Sequence, residues 1–426
     1  MEIHVVQAGQ TLNAIGREYG VTPELIARYN GIAPPYGLAV GQSLLILRPT
    51  QTVTVEAGDT LSAIAARTGL TIRQLLRNNP NLQGLPELYP SQVLVIAFED
   101  TPSYPIEVSG YTYDYVNFPV LRTILPYATF LAPFTYGITQ TGGLVYLDDE
   151  AQIALAREYG VRPLMHLSTL TEDGNFSTEN ATLVLSRPEL QQALAAQILQ
   201  AMQSRGYEGL DVDFEFVEAA YAESYAEFIG LLRGQVNAIG QEVLVALAPK
   251  TSDTQAGVIY QGHNYRLLGE NADAVLLMTY EWGYTYGPPM AVAPAASVQR
   301  VLDYAVTQIP PDKIFMGFPN YAYNWTLPFQ SGISRADSIS NETAVALALQ
   351  YGAVIQFDET AQTPYFHYTD ANGAIHEVWF EDARSCYAKY RFLEQYGFRG
   401  IGYWNFMRRF TVGFSLLNAM YRILPE

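Results

Sequence analysis

The sequence predicts an α/β protein. A (β/α)8 barrel spans residues 100–426, with a small α+β insertion between its seventh and eighth strands. Two βααβ units, at 1–49 and 50–99, precede it. Three observations carry that prediction. The first 99 residues repeat themselves. The rest of the chain alternates eight short apolar segments with helical stretches. Of 426 residues, 49% are apolar and 15% charged, which is enough to bury a core along the whole length.

The repeats come first. Residues 4–15 read HVVQAGQTLNAI and residues 53–64 read VTVEAGDTLSAI, an offset of 49 that pairs Gly9 with Gly58, Thr11 with Thr60 and Asn30 with Asn79. Each unit reads strand, helix, helix, strand. Thr11 and Thr60 stand where a hydroxyl caps a first helix, and Leu12, Ile15 and Tyr19 recur at helical spacing. Pro23 follows Thr22 at the start of a second helix. Apolar runs at 44–47 and 93–97 close the units as strands. A unit of this size is marginal alone. The pattern resembles the LysM module. That resemblance implies binding of N-acetylglucosamine-containing glycans, and two copies on one chain gain avidity on a polymer.

Eight candidate strands follow, at 106–110, 128–134, 162–167, 209–214, 243–248, 274–279, 313–317 and 400–404. Helices are expected between them, at 149–159, 187–205, 221–239 and 295–308. Eight βα units in this length fit a closed barrel. A doubly wound sheet would need a glycine-rich phosphate turn after the first strand, and none stands there. The long gap at about 320–398 holds a helix near 341–351 and strand-like pieces at 354–357, 365–368 and 376–379. These read as the inserted subdomain, on the face where a barrel does its chemistry.

Charge and cysteine content exclude several classes. The net charge is −18, of which residues 1–99 contribute −1. A nucleic-acid backbone reader needs a basic footprint instead. One cysteine, Cys386, rules out an internal disulfide framework and a cysteine-rich metal site. No secretory signal and no membrane-spanning run is visible, and nothing implies an oligomer. The 31 tyrosines and 4 tryptophans suit cores and sugar-stacking faces alike.

Residues 208–215 read EGLDVDFE. Asp211, Asp213 and Glu215 alternate, so a strand places all three on one face, and Leu210, Val212 and Phe214 on the other. In a barrel strand the acidic face is the interior, where branched apolar residues are the rule. Three acids there cost much free energy unless paired, protonated or bound to metal. Crowded like charges raise at least one pKa, which suits a general acid near neutral pH. By residue chemistry alone, acid catalysis, a Mg²⁺ or Ca²⁺ site and a structural role all remain open.

The segment resembles the glycoside hydrolase family 18 signature DGxDxDxE, with Glu208 for its first Asp. Other stretches agree. Met278-Thr279-Tyr280-Glu281 resembles the family's MxYD, with Glu281 for Asp. Residues 316–325, from Met316 to Trp325, resemble its strand-seven motif. Trp404 ends strand eight where the family keeps a sugar-stacking Trp. The order LysM, LysM, barrel, with TYEWGY at 279–284 and HEVWFEDARS at 376–385, is similar to the spore cortex-lytic N-acetylglucosaminidases of endospore-forming bacteria.

The resemblance implies a TIM barrel and retaining hydrolysis assisted by the substrate's own acetamido group. Glu215 is then the acid and base. Asp213 orients the acetamido group, Asp211 pairs with Asp213, and Tyr280 donates to the acetamido oxygen. Trp404 is the floor under the −1 sugar. Glu281, Trp282, Asn324, Trp325 and Trp379 are further substrate-binding candidates. His166 is a candidate for the rim, and so is the aromatic run 111–115; His367 and His376 read as structural. No cofactor or metal is implied. The expected partner is peptidoglycan or a chitin-like polymer, and the expected location is the spore coat or cortex boundary, or the cell wall. A chitinase or other endo-N-acetylglucosaminidase shares every catalytic candidate. A non-catalytic lectin and a metal-dependent deacetylase are the rivals from other classes.

Overall fold

The computed structural model describes residues 1–425 apart from 172, 173 and 258. In the first repeat, strand Glu2–Val5 pairs antiparallel with Ser43–Ile46 around helices Leu12–Tyr19 and Pro23–Asn30. In the second, Pro49–Thr54 pairs with Val93–Phe98 around Leu61–Thr68 and Ile72–Asn78. Thr11, Thr22, Thr60 and Thr71 cap the four helices, each side chain accepting from a backbone N–H three residues on.

The paired asparagines explain their own recurrence. Asn30 Nδ2 donates to Ile26 and Leu45 carbonyls, and its Oδ1 accepts from Leu45 N. Asn79 repeats this with Leu75 and Val95. Each ties a second helix to its closing strand, so no buried polar atom of the amide is left unmatched.

The barrel strands are Pro105–Thr112, Phe130–Pro133, a third in two pieces (Arg162–Pro163 and Met165–Ser168), Leu210–Asp213, Val243–Leu247, Ala274–Leu277, Ile314–Pro319 and Gly400–Trp404. These nine segments run parallel, and the eighth strand pairs with both the seventh and the first. The barrel is therefore nearly closed, broken only at Leu164 between the two pieces of strand three. Its lower interior holds Phe130, Leu164, Leu244, Ala274, Leu276 and Phe315, the layered apolar filling of a barrel.

Expected helices appear at Glu150–Glu158, Pro188–Arg205, Ala222–Asn237 and Ala295–Ala305. Between strands seven and eight lies a five-stranded antiparallel sheet. Its order is Asp337–Ile339, Ala322–Leu327, Ile375–Trp379, Thr363–Thr369, Gln356–Asp358, with helix Asn341–Tyr351 packed on it. The gap also contains Ala383–Tyr396, the helix that leads into strand eight. Asp382 caps it by accepting from Arg384 and Ser385 N–H groups.

The repeats are not loosely tethered. Leu45, Leu75, Leu94 and Ile96 belong to one buried cluster with Leu121, Ile124, Leu416 and Leu417 of the barrel. Ile355 N donates to Val40 O at 2.9 Å, and Tyr127 OH to Arg77 O at 3.0 Å. Gly41 has φ +82°, and a Cβ there would lie 2.0 Å from Ile355 O, so only glycine permits this approach. No helix among the described residues is long and apolar enough to cross a membrane.

Candidate active site

Strand four sets the chemistry. Val212 and Phe214 turn outward, where the Phe214 ring stacks on Tyr225 at 5.4 Å. Asp211 and Asp213 turn inward and are buried, opposite His166 and Ser168 of strand three in the parallel register. Glu215 stands two residues past Asp213, just beyond the strand, half-buried at the mouth. The three acids thus climb one inner face, from the barrel's middle layer to its open end.

Burial dominates their ionisation. It raises the Asp211 carboxyl to about 7, against a partial lowering by a hydrogen bond with Tyr111. Asp213 is pushed well above the carboxylate range by burial, then by the charges of Glu215 and Asp211. Glu215 is raised by burial and by Glu281. The charges of Glu215 and Asp211 both act on Asp213, so these carboxyls titrate as interacting groups. Neither Asp213 Oδ1 nor His166 Nε2 has a hydrogen-bond partner among the described residues.

His166 is not at the rim. It is fully buried beneath the acids, with Nε2 3.7 Å from Asp211 Oδ2 and 3.8 Å from Asp213 Oδ2. Desolvation lowers its pKa to about 3, so it is a neutral ring beside the acids and not an ion-pair partner. Tyr111 also departs from the expected rim loop. Strand one runs to Thr112, which carries Tyr111 into the interior against Asp211. Tyr113 and Tyr115 do reach the mouth, stacked at 5.3 Å.

Tyr280 lies past the end of strand six and is buried beside the acids, which raise its hydroxyl pKa together with desolvation. Gly317 makes room for it: a Cβ there would meet Tyr280 Cε1 at 2.8 Å and Leu277 O at 2.3 Å. Glu281 follows with φ +67°. Its carboxylate opens onto the cavity, while its protein-facing side accepts from the hydroxyls of Tyr321 and Tyr323. Trp404 ends strand eight, braced by Tyr111 at 5.4 Å and Phe134 at 5.2 Å. A cavity of about 350 Å³ is bounded by Tyr111, Asp213, Glu215, Tyr280, Glu281, Trp282 and Trp404, with Tyr260 at its edge. That volume falls within the range of small-ligand sites.

The structure therefore brings together Asp211, Asp213, Glu215, Tyr280, Glu281, Trp282 and Trp404. It places three other candidates elsewhere. Trp325 is buried and donates through Nε1 to Gly287 O at 2.8 Å. Asn324 donates to Tyr368 OH, and Trp379 stacks on Tyr365 at 4.6 Å and donates to Glu377. Trp325 and Trp379 pack in the aromatic cluster behind Tyr280, which supports the cavity wall. Among the described residues no group of three or more His, Cys, Asp or Glu side chains is disposed to hold a metal ion.

The sequence and the fold match those of known proteins. Residues 153–408 match the model of glycosyl hydrolases family 18, and residues 4–47 and 53–97 each match the LysM domain. The chain is 36% identical over 432 residues to the cortical fragment-lytic enzyme of Bacillus subtilis (strain 168), covering 100% of this chain and 99% of that one. It is 34% identical over 434 residues to the putative sporulation-specific glycosylase YdhD of the same organism, covering 99% of each. The crystal structure of the Bacillus cereus spore cortex-lytic enzyme SleL superposes with a TM-score of 0.83 at 33% identity, covering 99% of this chain and 98% of that one. The family match over 153–408, the two LysM matches ahead of it and the full-length similarity to a cortical fragment-lytic enzyme make this chain a member of glycosyl hydrolases family 18 with two LysM domains.

Proposed function

We propose that the protein hydrolyses the β-1,4 bond that follows N-acetylglucosamine in peptidoglycan, with spore cortex or its fragments as the substrate, and that it works at the spore coat and cortex boundary. The observation that carries this reading is the convergence of Asp213, Glu215 and Tyr280 on one cavity floored by Trp404. Full-length similarity to cortex-lytic proteins supports the choice of glycan.

The steps carry the family's substrate-assisted mechanism onto these residues. Glu215, whose carboxyl is pushed up by burial and by the Glu281 charge, gives its proton to the glycosidic oxygen. Substrate-assisted retention needs no second carboxylate as the nucleophile. The acetamido oxygen of the −1 sugar attacks C1. Asp213 accepts the acetamido N–H and stabilises the oxazolinium that forms. Tyr280 OH donates to the attacking oxygen and holds it in line, a proximity effect. Glu215, now a carboxylate, takes a proton from the incoming water, which opens the ring with net retention. Asp211 shares a proton with Asp213, which lets Asp213 change charge without leaving an unpaired buried carboxylate.

Mass spectrometry of fragments released from purified spore cortex tests this. The wild type is expected to give products with N-acetylglucosamine at the reducing end, and Glu215→Gln none. Cleavage of chitooligosaccharides with cortex left intact would make the protein a chitinase-like enzyme instead.

A further inference from the structure

Strands four and five separate just before Glu215. Their register pairs Leu210 with Val243, Asp211 with Leu244 and Val212 with Val245, and Leu210 N donates to Glu242 O at 2.9 Å. The same parallel pattern, carried on along both strands, has Ala248 N donating to Phe214 O. Instead the His263 ring stands between the two groups. Ala248 N donates to His263 Nδ1 at 2.9 Å, and His263 Nε2 lies 2.9 Å from Phe214 O.

The partners fix the tautomer. A backbone N–H can only donate and a carbonyl oxygen can only accept, so Nδ1 is bare and Nε2 carries the proton. The ring is fully buried, and burial lowers its pKa to about 4, so it is neutral. The ring is also held in place. Lys250 Nζ donates to His263 O at 3.0 Å, and His263 N donates to Tyr260 O at 3.1 Å. Asn264, the next residue, caps helix Tyr265–Asn271 by accepting from Leu267 N. Gly262 lets this loop close on the chain beyond Glu215: a Cβ there would lie 2.3 Å from Val217 O. Phe214 C=O and Glu215 N belong to one peptide plane, so the proton on Nε2 orients the unit that carries the acid.

We propose that His263 is a positioning residue for the acid: its Nε2–H, standing in for a strand-to-strand bond, holds the Phe214–Glu215 peptide and aims the Glu215 carboxyl at the glycosidic oxygen. This rests on the reading of Glu215 as the acid given above. His263 is buried behind the cavity wall that Ala248 and Tyr260 form, so it acts through that peptide and not on the substrate. A ring in place of one ladder bond spreads the two strands at their ends, which gives Glu215 the room to turn into the mouth.

The test compares two leaving groups on the full chain. One substrate is the glycan that the wild type cleaves, cortex fragments or an N-acetylchitooligosaccharide, which expels a sugar hydroxyl. The other is a dinitrophenyl glycoside of the same −1 sugar, whose phenolate leaves with little help from an acid. A displaced acid slows only the bond that needs its proton. His263→Leu is therefore expected to lower kcat/KM by about 10²-fold on the glycan and by no more than about threefold on the aryl glycoside. Glu215→Gln should show the same pattern more strongly. His263→Gln, whose amide can still donate to Phe214 O, is expected to recover most of the loss. The ratio of the two rates does not depend on how much of a variant folds. Equal losses on both substrates in His263→Leu, beside a leaving-group dependence in Glu215→Gln, would make His263 a packing residue and overturn this inference alone. A Glu215→Gln protein without that dependence, or a wild type that cleaves neither substrate, removes the acid reading and this inference with it. Nitrogen-15 NMR of the histidine-labelled wild type gives a second answer: a ring proton on Nδ1 of His263 overturns the proposal without any variant.

Discussion

His166 Nε2 faces Asp211 Oδ2 at 3.7 Å, beyond hydrogen-bond reach, and the nitrogen has no hydrogen-bond partner among the described residues. On its other side, His166 Nδ1 lies 2.6 Å from Thr135 Oγ1. Where the Thr135 hydroxyl gives its one proton to Nδ1 and not to Tyr136 O at 2.9 Å, the ring proton sits on Nε2 and points at the acid pair. A neutral ring then lends a dipole, not a charge, to whichever aspartate is ionised.

Removing that dipole has a directional effect. In His166→Ala, the Asp211–Asp213 pair loses a stabiliser of its anionic form and ionises at higher pH. The acid limb of the kcat profile is expected to move up, and kcat at its optimum to fall about 10- to 100-fold. KM for a neutral oligomer should change little. An unmoved acid limb would reduce His166 to packing.

Asp211 links activity to stability. Its folded pKa is about 7, raised from an ordinary value of 3.8. The folded state therefore holds a proton that the unfolded state has released between those values. Stability is highest below about pH 4 on this account and declines as pH rises toward 7. Asp211→Asn removes the dependence. Its melting temperature is expected to exceed wild type at pH 8 and to match it near pH 4, while its activity falls steeply. Thermal unfolding at both pH values reads the sign directly.

Tyr280 and Gly317 form a second coupled pair. Tyr280→Phe removes only the hydroxyl and should leave the melting temperature near wild type. Loss of one donor to the attacking oxygen is expected to lower kcat by about 10²- to 10³-fold. Gly317→Ala forces a Cβ to 2.8 Å from the same ring. It is expected to lower kcat through Tyr280 and also to cost about 1–3 kcal/mol of stability. Steady-state kinetics with calorimetry separates the two outcomes.

The sequence made legible what obeys a local period. The alternation of Asp211, Asp213 and Glu215 is a two-residue rule, and the recurrence of Asn30 at Asn79 is a fixed offset. Both reappear as geometry. Strand ends were less legible. Tyr111 looked like the start of a loop because it opens a run of alternating aromatic and polar residues, yet the pairing with strand two continues to Thr112. Its inward turn follows from period two within strand one, counted from Ser109. Trp325 and Trp379 looked like sugar platforms by residue type. Nothing in the local sequence announces that Gly287 O and Glu377 take up their indole N–H groups. Tyr321 and Tyr323 were missed for a related reason, since their hydroxyls matter only through Glu281, some forty residues earlier.

The last prediction concerns the repeats. Modules on a flexible tether melt separately and can be removed without harm. Here Leu45, Leu75, Leu94 and Ile96 complete a core that also contains Leu121 and Leu417. Arg384 Nη2 donates to Gly41 O, and Tyr159 OH to Gly84 O at 2.6 Å. Deleting residues 1–99 strips these groups of their partners and exposes a contiguous apolar face. The intact chain is therefore expected to unfold in one calorimetric transition, and the 100–426 fragment to aggregate or melt at least about 10 °C lower. Two resolved transitions in the intact protein, with a fragment as stable as the whole, would mean that the shared core contributes little. The repeats would then act by avidity alone. A single transition would mean that the glycan-binding modules and the active site are presented to the polymer as one rigid unit, with a fixed spacing between the bound and the cleaved sugars.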